Sequence, residues 1–176
     1  MLQTVPVTGF DAETFEEVVR YAHSGTCAIH ASKLIALMNA ADKYGFPSLV
    51  SECQDRIPES VTLETIIPHL KSANQYIASK HTKAVVKSLF AFVDEHAEQV
   101  LALTEFVDLP FPVVKIIISR GTLQVGSHWF AVCTHTVQAS ELSKFNAVLL
   151  WGESAIQSNS ASVKLSDLLA PFWGWP

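Results

Sequence analysis

Apolar residues recur at helical spacing in block after block along this chain, and a glycine or proline closes most blocks. That punctuation restricts the fold to a stack of short amphipathic helices, so the predicted fold class is all-α. Phe15, Val18, Val19 and Ala22 stand at i, i+3, i+4 and i+7, the spacing of one helical face. Asp11 precedes them as a cap whose carboxylate can accept the free N–H groups of the first turn. Glu13, Glu16, Glu17 and Arg20 fall on the side expected to be solvated, and Ser24-Gly25 stops the helix. Cys27 to His30 reads as an edge strand or a plain connection. Ser32 is expected to cap a second helix with Leu34, Ile35, Met38, Ala41 and Tyr44 on one face, ended by Gly45. Pro47 opens a third helix at the position where its missing N–H costs nothing. Leu49, Val50, Cys53 and Ile57 form its stripe, and Pro58 is expected to close this first unit.

A second helical series follows. Thr62 is placed to cap it, and Leu63, Ile66, Ile67, Leu70, Ala73 and Ile77 keep the period, with Pro68 predicting a late start or a kink. Residues 79–93 read as a further helix. Ala97-Val100-Leu101 and Thr104-Glu105-Phe106 read as two short pieces that pack between helix pairs. Val113 to Ile118 is β-branched enough for a strand, but the helical surroundings favour a short helix. Leu142, Phe145, Val148, Leu149 and Trp151 make another stripe. Ser154 to Ser162 has the texture of a loop, and Leu165, Leu168, Leu169 and Phe172 suggest one more short helix.

The composition excludes several function classes. Of 176 residues, 49% are hydrophobic and 16% charged, which predicts a packed core rather than a disordered chain. The net charge of −5 does not fit a phosphate-binding surface, so no nucleic-acid partner is expected. No apolar run has the ~20 residues needed to span a bilayer, so no membrane partner is expected either, and cytoplasm or nucleus is the expected location. Cys27, Cys53 and Cys133 are odd in number and widely spaced, as reduced thiols are.

Chemistry-bearing patterns are thin. Cys27-x-x-His30 and Cys133-x-His135 offer two ligands each, far apart in sequence, where a structural zinc site needs four. His96-Ala-Glu98 matches half of a zinc-deaminase signature without the cysteine half. No phosphate loop and no nucleophile elbow occurs. No cofactor and no catalytic or metal residue is therefore expected, and the chain is expected not to be an enzyme. A small thiol hydrolase built on Cys53 or Cys133 stands only as a contrast.

Two stretches carry a family resemblance. Phe15-Glu-Glu-Val-Val-Arg-Tyr-Ala-His-Ser-Gly25 resembles the BTB (POZ) helix that ends in Tyr-Thr-Gly, with His23-Ser24-Gly25 in that place. Ala40-Ala-Asp-Lys-Tyr-Gly-Phe-Pro-Ser-Leu49, followed by Cys53, is similar to the next BTB helix pair. Residues 61–125 resemble a BACK domain, through Leu70-Lys-Ser-Ala-Asn-Gln75 and Leu89-Phe-Ala-Phe-Val-Asp-Glu-His-Ala-Glu-Gln-Val-Leu101. Glu141 to Trp151 resembles the tryptophan helix that comes next.

The resemblance implies a division into residues 1–58 as the C-terminal half of a BTB domain and 61–151 as a BACK bundle. Residues 152–176 follow as a linker and a truncated helix. It also implies an earlier BTB half, with a small sheet, that this chain lacks, so a fragment is expected. Gly126 to Ala139 interrupts an otherwise family-like join, as a translated intron or alternative exon would, the alternative being a family-specific loop. The function implied is that of a non-catalytic substrate adaptor of a cullin-3 ubiquitin ligase, with self-association. The alternative is a BTB–BACK scaffold that never engages a ligase. By position, Glu17 and His23 would meet cullin-3, and Ile66, Ile67 and Leu70 would lie near an apolar groove.

Overall fold

A computed structural model of the chain describes residues 8–119 and 141–158. Among them every regular element is a helix and no strand occurs, as the helical spacing requires. The expected insert at 126–139, Cys133, His135 and the helix expected at 165–172 lie outside the described residues. The chain divides into two compact units, residues 1–89 and 90–176.

In the first unit, α1 runs Ala12–Ser24. The Thr14 N–H donates to Asp11 Oδ1 at 2.8 Å, which satisfies one free donor of the first turn. Gly25 closes the helix at φ 71°, a left-handed conformation that glycine adopts without a Cβ clash. Residues 26–30 are a connection. The expected Ser32 cap is not found. A 3-10 turn at Ala31–Lys33 precedes α2 (Leu34–Tyr44), and the His30 ring accepts the Ser32 N–H instead.

Helix α2 is the post around which this unit packs. Leu34, Ile35, Leu37, Met38, Ala40 and Ala41 are all buried. The buried Asn39 donates to Ile35 O at 2.7 Å and to Thr82 Oγ1 at 2.9 Å, so its amide is not left bare in the core. Tyr44, expected on the buried face, is 38% exposed. It stands in the last turn of α2, beyond the reach of the packed core.

Helix α3 (Pro47–Ser60) starts on its proline and buries Leu49, Val50, Cys53 and Ile57, as the stripe predicts. Pro58 does not close it. The helix runs on to Ser60, because a proline this near the C-terminal end removes only one ladder bond.

Helix α4 (Ile66–Gln75) starts late, with Pro68 in its first turn, where no N–H is required. The Thr62 carbonyl accepts from Thr65 and Ile66 in the turn before it. Ile66, Ile67, Leu70 and Ala73 are buried, whereas Ile77 falls beyond the helix and is exposed.

Helix α5 (Lys80–Glu95) gives its residues up to Leu89 to the first unit and the remainder to the second. In the second unit follow α6 (Ala97–Leu101), a 3-10 turn at Thr104–Asp108, α7 (Phe111–Ser119) and α8 (Glu141–Ser158). The β-branched run at Val113 to Ile118 is helical, as its surroundings predict. Trp151 anchors this core. Its indole N–H donates to Leu109 O at 2.8 Å, and its ring lies against Phe111. Gly152 does not end α8. It is buried, and the helix continues through Ser154, which was expected to open a loop.

Candidate docking surface on the first helix

Helix α1 is turned about its axis from the orientation that hydropathy predicts. The side packed against the unit carries Thr14, Glu17 and Val18, with Tyr21 partly covered. Of the predicted face, Val18 alone is buried. Phe15 is half-covered, Val19 is 40% exposed and Ala22 is exposed.

Glu17, expected among solvated residues, is only 5% exposed. The connection at 26–30 belongs to no sheet, so its backbone needs partners from side chains. Glu17 Oε2 accepts the Ala28 N–H at 2.8 Å, and Oε1 faces Arg20 Nη1 at 2.9 Å. A charge-assisted bond to a backbone donor thus outweighs the apolar pattern of α1. Glu16 and Arg20 stay on the surface, 3.3 Å apart.

The residues proposed from sequence to meet a partner do not form one surface. His23 is exposed in the last turn of α1. Glu17 faces inward, and Ile66, Ile67 and Leu70 are buried in α4 as core. Among the residues that α1 shows to solvent are Glu16, Val19, Arg20, Ala22 and His23, with the half-covered Phe15 beside them. The Phe15 ring meets Tyr44 edge-on at 5.4 Å. Tyr44, Lys43, Phe10 and Tyr76 are exposed or half-covered and were not among the residues expected from sequence to meet a partner. The signal was available in part: Lys43 and Tyr44 sit in the final turn before Gly45, where a core stripe loses its cover.

The two described thiols, Cys27 and Cys53, are poor nucleophiles. Cys53 is fully buried, and burial pushes its thiol up to about 12, so no thiolate forms near neutral pH. Cys27 is half-buried. Its Sγ lies 3.6 Å from Arg56 Nη1 and 3.9 Å from Glu52 Oε1, and burial raises its pKa as well. His96 occupies the junction between α5 and α6 and stacks on Phe92 at 4.2 Å. Among the described residues, no group of three or more His, Cys, Asp or Glu is placed to hold a metal ion. Among them also, no helix is long and apolar enough to cross a membrane.

Comparison with known proteins places this geometry in context. The chain is 31% identical over 170 residues to the Serine-enriched protein of Drosophila melanogaster, which covers 97% of this chain and 12% of that protein. It is 23% identical over 119 residues to Kelch-like protein 6 of Homo sapiens, covering 68% of this chain and 18% of that one. The chain therefore spans less than a fifth of the length of either relative. No solved structure matches it. The sequence model of the BTB/POZ domain matches residues 2–61, the stretch that contains α1, α2 and α3. Residues 2–61 thus carry a BTB/POZ domain, a module for protein–protein interaction.

Proposed function

We propose that the chain is a non-catalytic adaptor of the BTB–BACK type, in which residues 61–151 form a BACK domain and α1 docks the cullin-3 scaffold of a ubiquitin ligase. The observation that carries this reading is the outward face of α1. Val19 is 40% exposed, with Ala22 and His23 exposed one turn further on. An apolar strip on a helix, rimmed by Glu16 and Arg20, suits a partner helix laid against it. Glu17 acts behind that face, fixing α1 to residue 28 rather than touching the partner.

The test is co-precipitation of endogenous cullin-3 by the tagged chain. The wild type is expected to retain it, and Val19→Glu to lose most of the signal. Val19 is surface-exposed, so this substitution leaves the core intact. A wild-type chain that retains no cullin-3 overturns the ligase reading. The second reading, a BTB–BACK scaffold without a ligase, is favoured by the burial of Ile66, Ile67 and Leu70, which leaves those side chains no part in a surface groove.

A further inference from the structure

We infer that Phe10, Lys43, Tyr44 and Tyr76 form a second docking site, which takes a short acidic peptide segment with an apolar side chain next to its carboxylate. The aromatic part is held in place before any partner arrives. Phe10 stacks on Tyr76 at 5.6 Å between centroids, with 21° between the ring planes. The Tyr76 hydroxyl donates to Gly9 O at 3.0 Å, and Lys43 Nζ donates to Thr8 O at 2.9 Å. The backbone at 8–10 is thereby tied to α2 and to the end of α4. Rings fixed in this way lose little conformational freedom on binding.

Lys43 supplies the charge. Its ammonium lies 5.3 Å from the centre of the Phe10 ring and 5.8 Å from that of Tyr44. Among the described residues its partners are that carbonyl and those two rings, and no carboxylate pairs with it. The acids nearby in sequence are engaged elsewhere. Asp42 faces His81 at 3.2 Å, while Asp11 caps α1 and faces Lys33 at 3.1 Å. A cation set against ring faces and lacking an acid favours a carboxylate brought by a partner.

A cleft of about 570 Å³ opens beside the stacked rings, with Phe10 and Tyr76 in its wall together with Ala36 and Pro68. That space accepts an apolar side chain. Lys33 in its wall is already paired with Asp11 and Glu13, so the charge that calls for a carboxylate is that of Lys43. The complement is a segment that is acidic and apolar at once. Arg20 and His23, the basic groups on the face proposed for cullin-3, play no part in this site.

The experiment is an NMR titration of the ¹⁵N-labelled full chain with a heptapeptide of alternating leucine and glutamate, and with its leucine–lysine counterpart. The acidic peptide is expected to give saturable shifts centred on Phe10, Lys43, Tyr44 and Tyr76, and the basic peptide none. Lys43→Ala, an exposed substitution, is expected to weaken binding about tenfold or more, the worth of one charge-assisted contact. Lys43→Ala is also expected to retain cullin-3 as well as the wild type does, which separates this site from the face of α1. Three results would overturn the proposal: no shifts, equal shifts with both peptides, or unchanged affinity in Lys43→Ala. So would movement of the same resonances with protein concentration alone, since a second copy would then occupy the site.

Discussion

His69 is fully buried in α4, and the bonds around it define its state. The Ser60 hydroxyl gives its proton to Ile57 O at 2.8 Å, so the contact of 3.2 Å between Ser60 Oγ and His69 Nε2 requires the ring to donate there. Nδ1 is then a buried lone pair with no partner among the described residues. Burial alone pushes the imidazole down from 6.5 to about 4. Between those values the unfolded chain binds a proton at His69 and the folded chain does not. This group's contribution is therefore full above about pH 6.5 and is lost as pH falls toward 4. Urea unfolding at pH 7.5 and 4.5 is expected to show a fall that is about 2–3 kcal/mol steeper in the wild type than in His69→Phe. Equal falls in the two proteins would contradict this. Neither His69 nor the inward Glu17 could be read from the sequence, because spacing reports which residues share a side, not which polar group finds a partner inside.

At the scale of elements, the ends of helices were the most legible part of the chain. Asp11, Gly25, Gly45 and Pro47 do what their chemistry dictates wherever the chain places them. Asp11→Ala is expected to cost about 1 kcal/mol in a chemical melt, from loss of the bond to the Thr14 N–H. Thr14, through its side chain first and its N–H second, also holds the Asp11 carboxyl below the usual carboxylate range. The stability it lends is therefore present above the ordinary carboxylate pKa and fades as acid protonates it. The wild-type and Asp11→Ala melting curves should converge at low pH. What misled was the strength of a pattern. Four apolar positions in α1 outnumbered one carboxylate, yet a backbone donor at Ala28 fixed the roll of the helix. Pro58 was expected to close the first unit and Ser154 to open a loop, but each is carried along within its helix.

For the whole molecule, the exposed apolar residues are distributed over both units. Among the described residues, and leaving aside Tyr44 of the peptide site, Val19 and Ile77 lie in the first, and Ile116, Phe145 and Leu150 in the second. Apolar surface of this kind drives association, and self-association also fits the BTB/POZ domain in residues 2–61. In sedimentation equilibrium the average mass is expected to rise with concentration above the 19.3 kDa of one chain, and Val19→Glu to reduce that rise. A constant mass of one chain across the range would refute the expectation. The helical class and the order of elements were open to reading from the sequence. The docking side of α1 was not, since it depends on how the helix is rolled. Helix α2 adds a last consequence. From Leu34 to Ala41 its side chains are enclosed, apart from the half-covered Ala36. The innermost helix thus has almost nothing to show a visitor, and recognition is left to its neighbours and its final turn. Outer positions can therefore be substituted to change what the domain meets without disturbing the helix that holds it together.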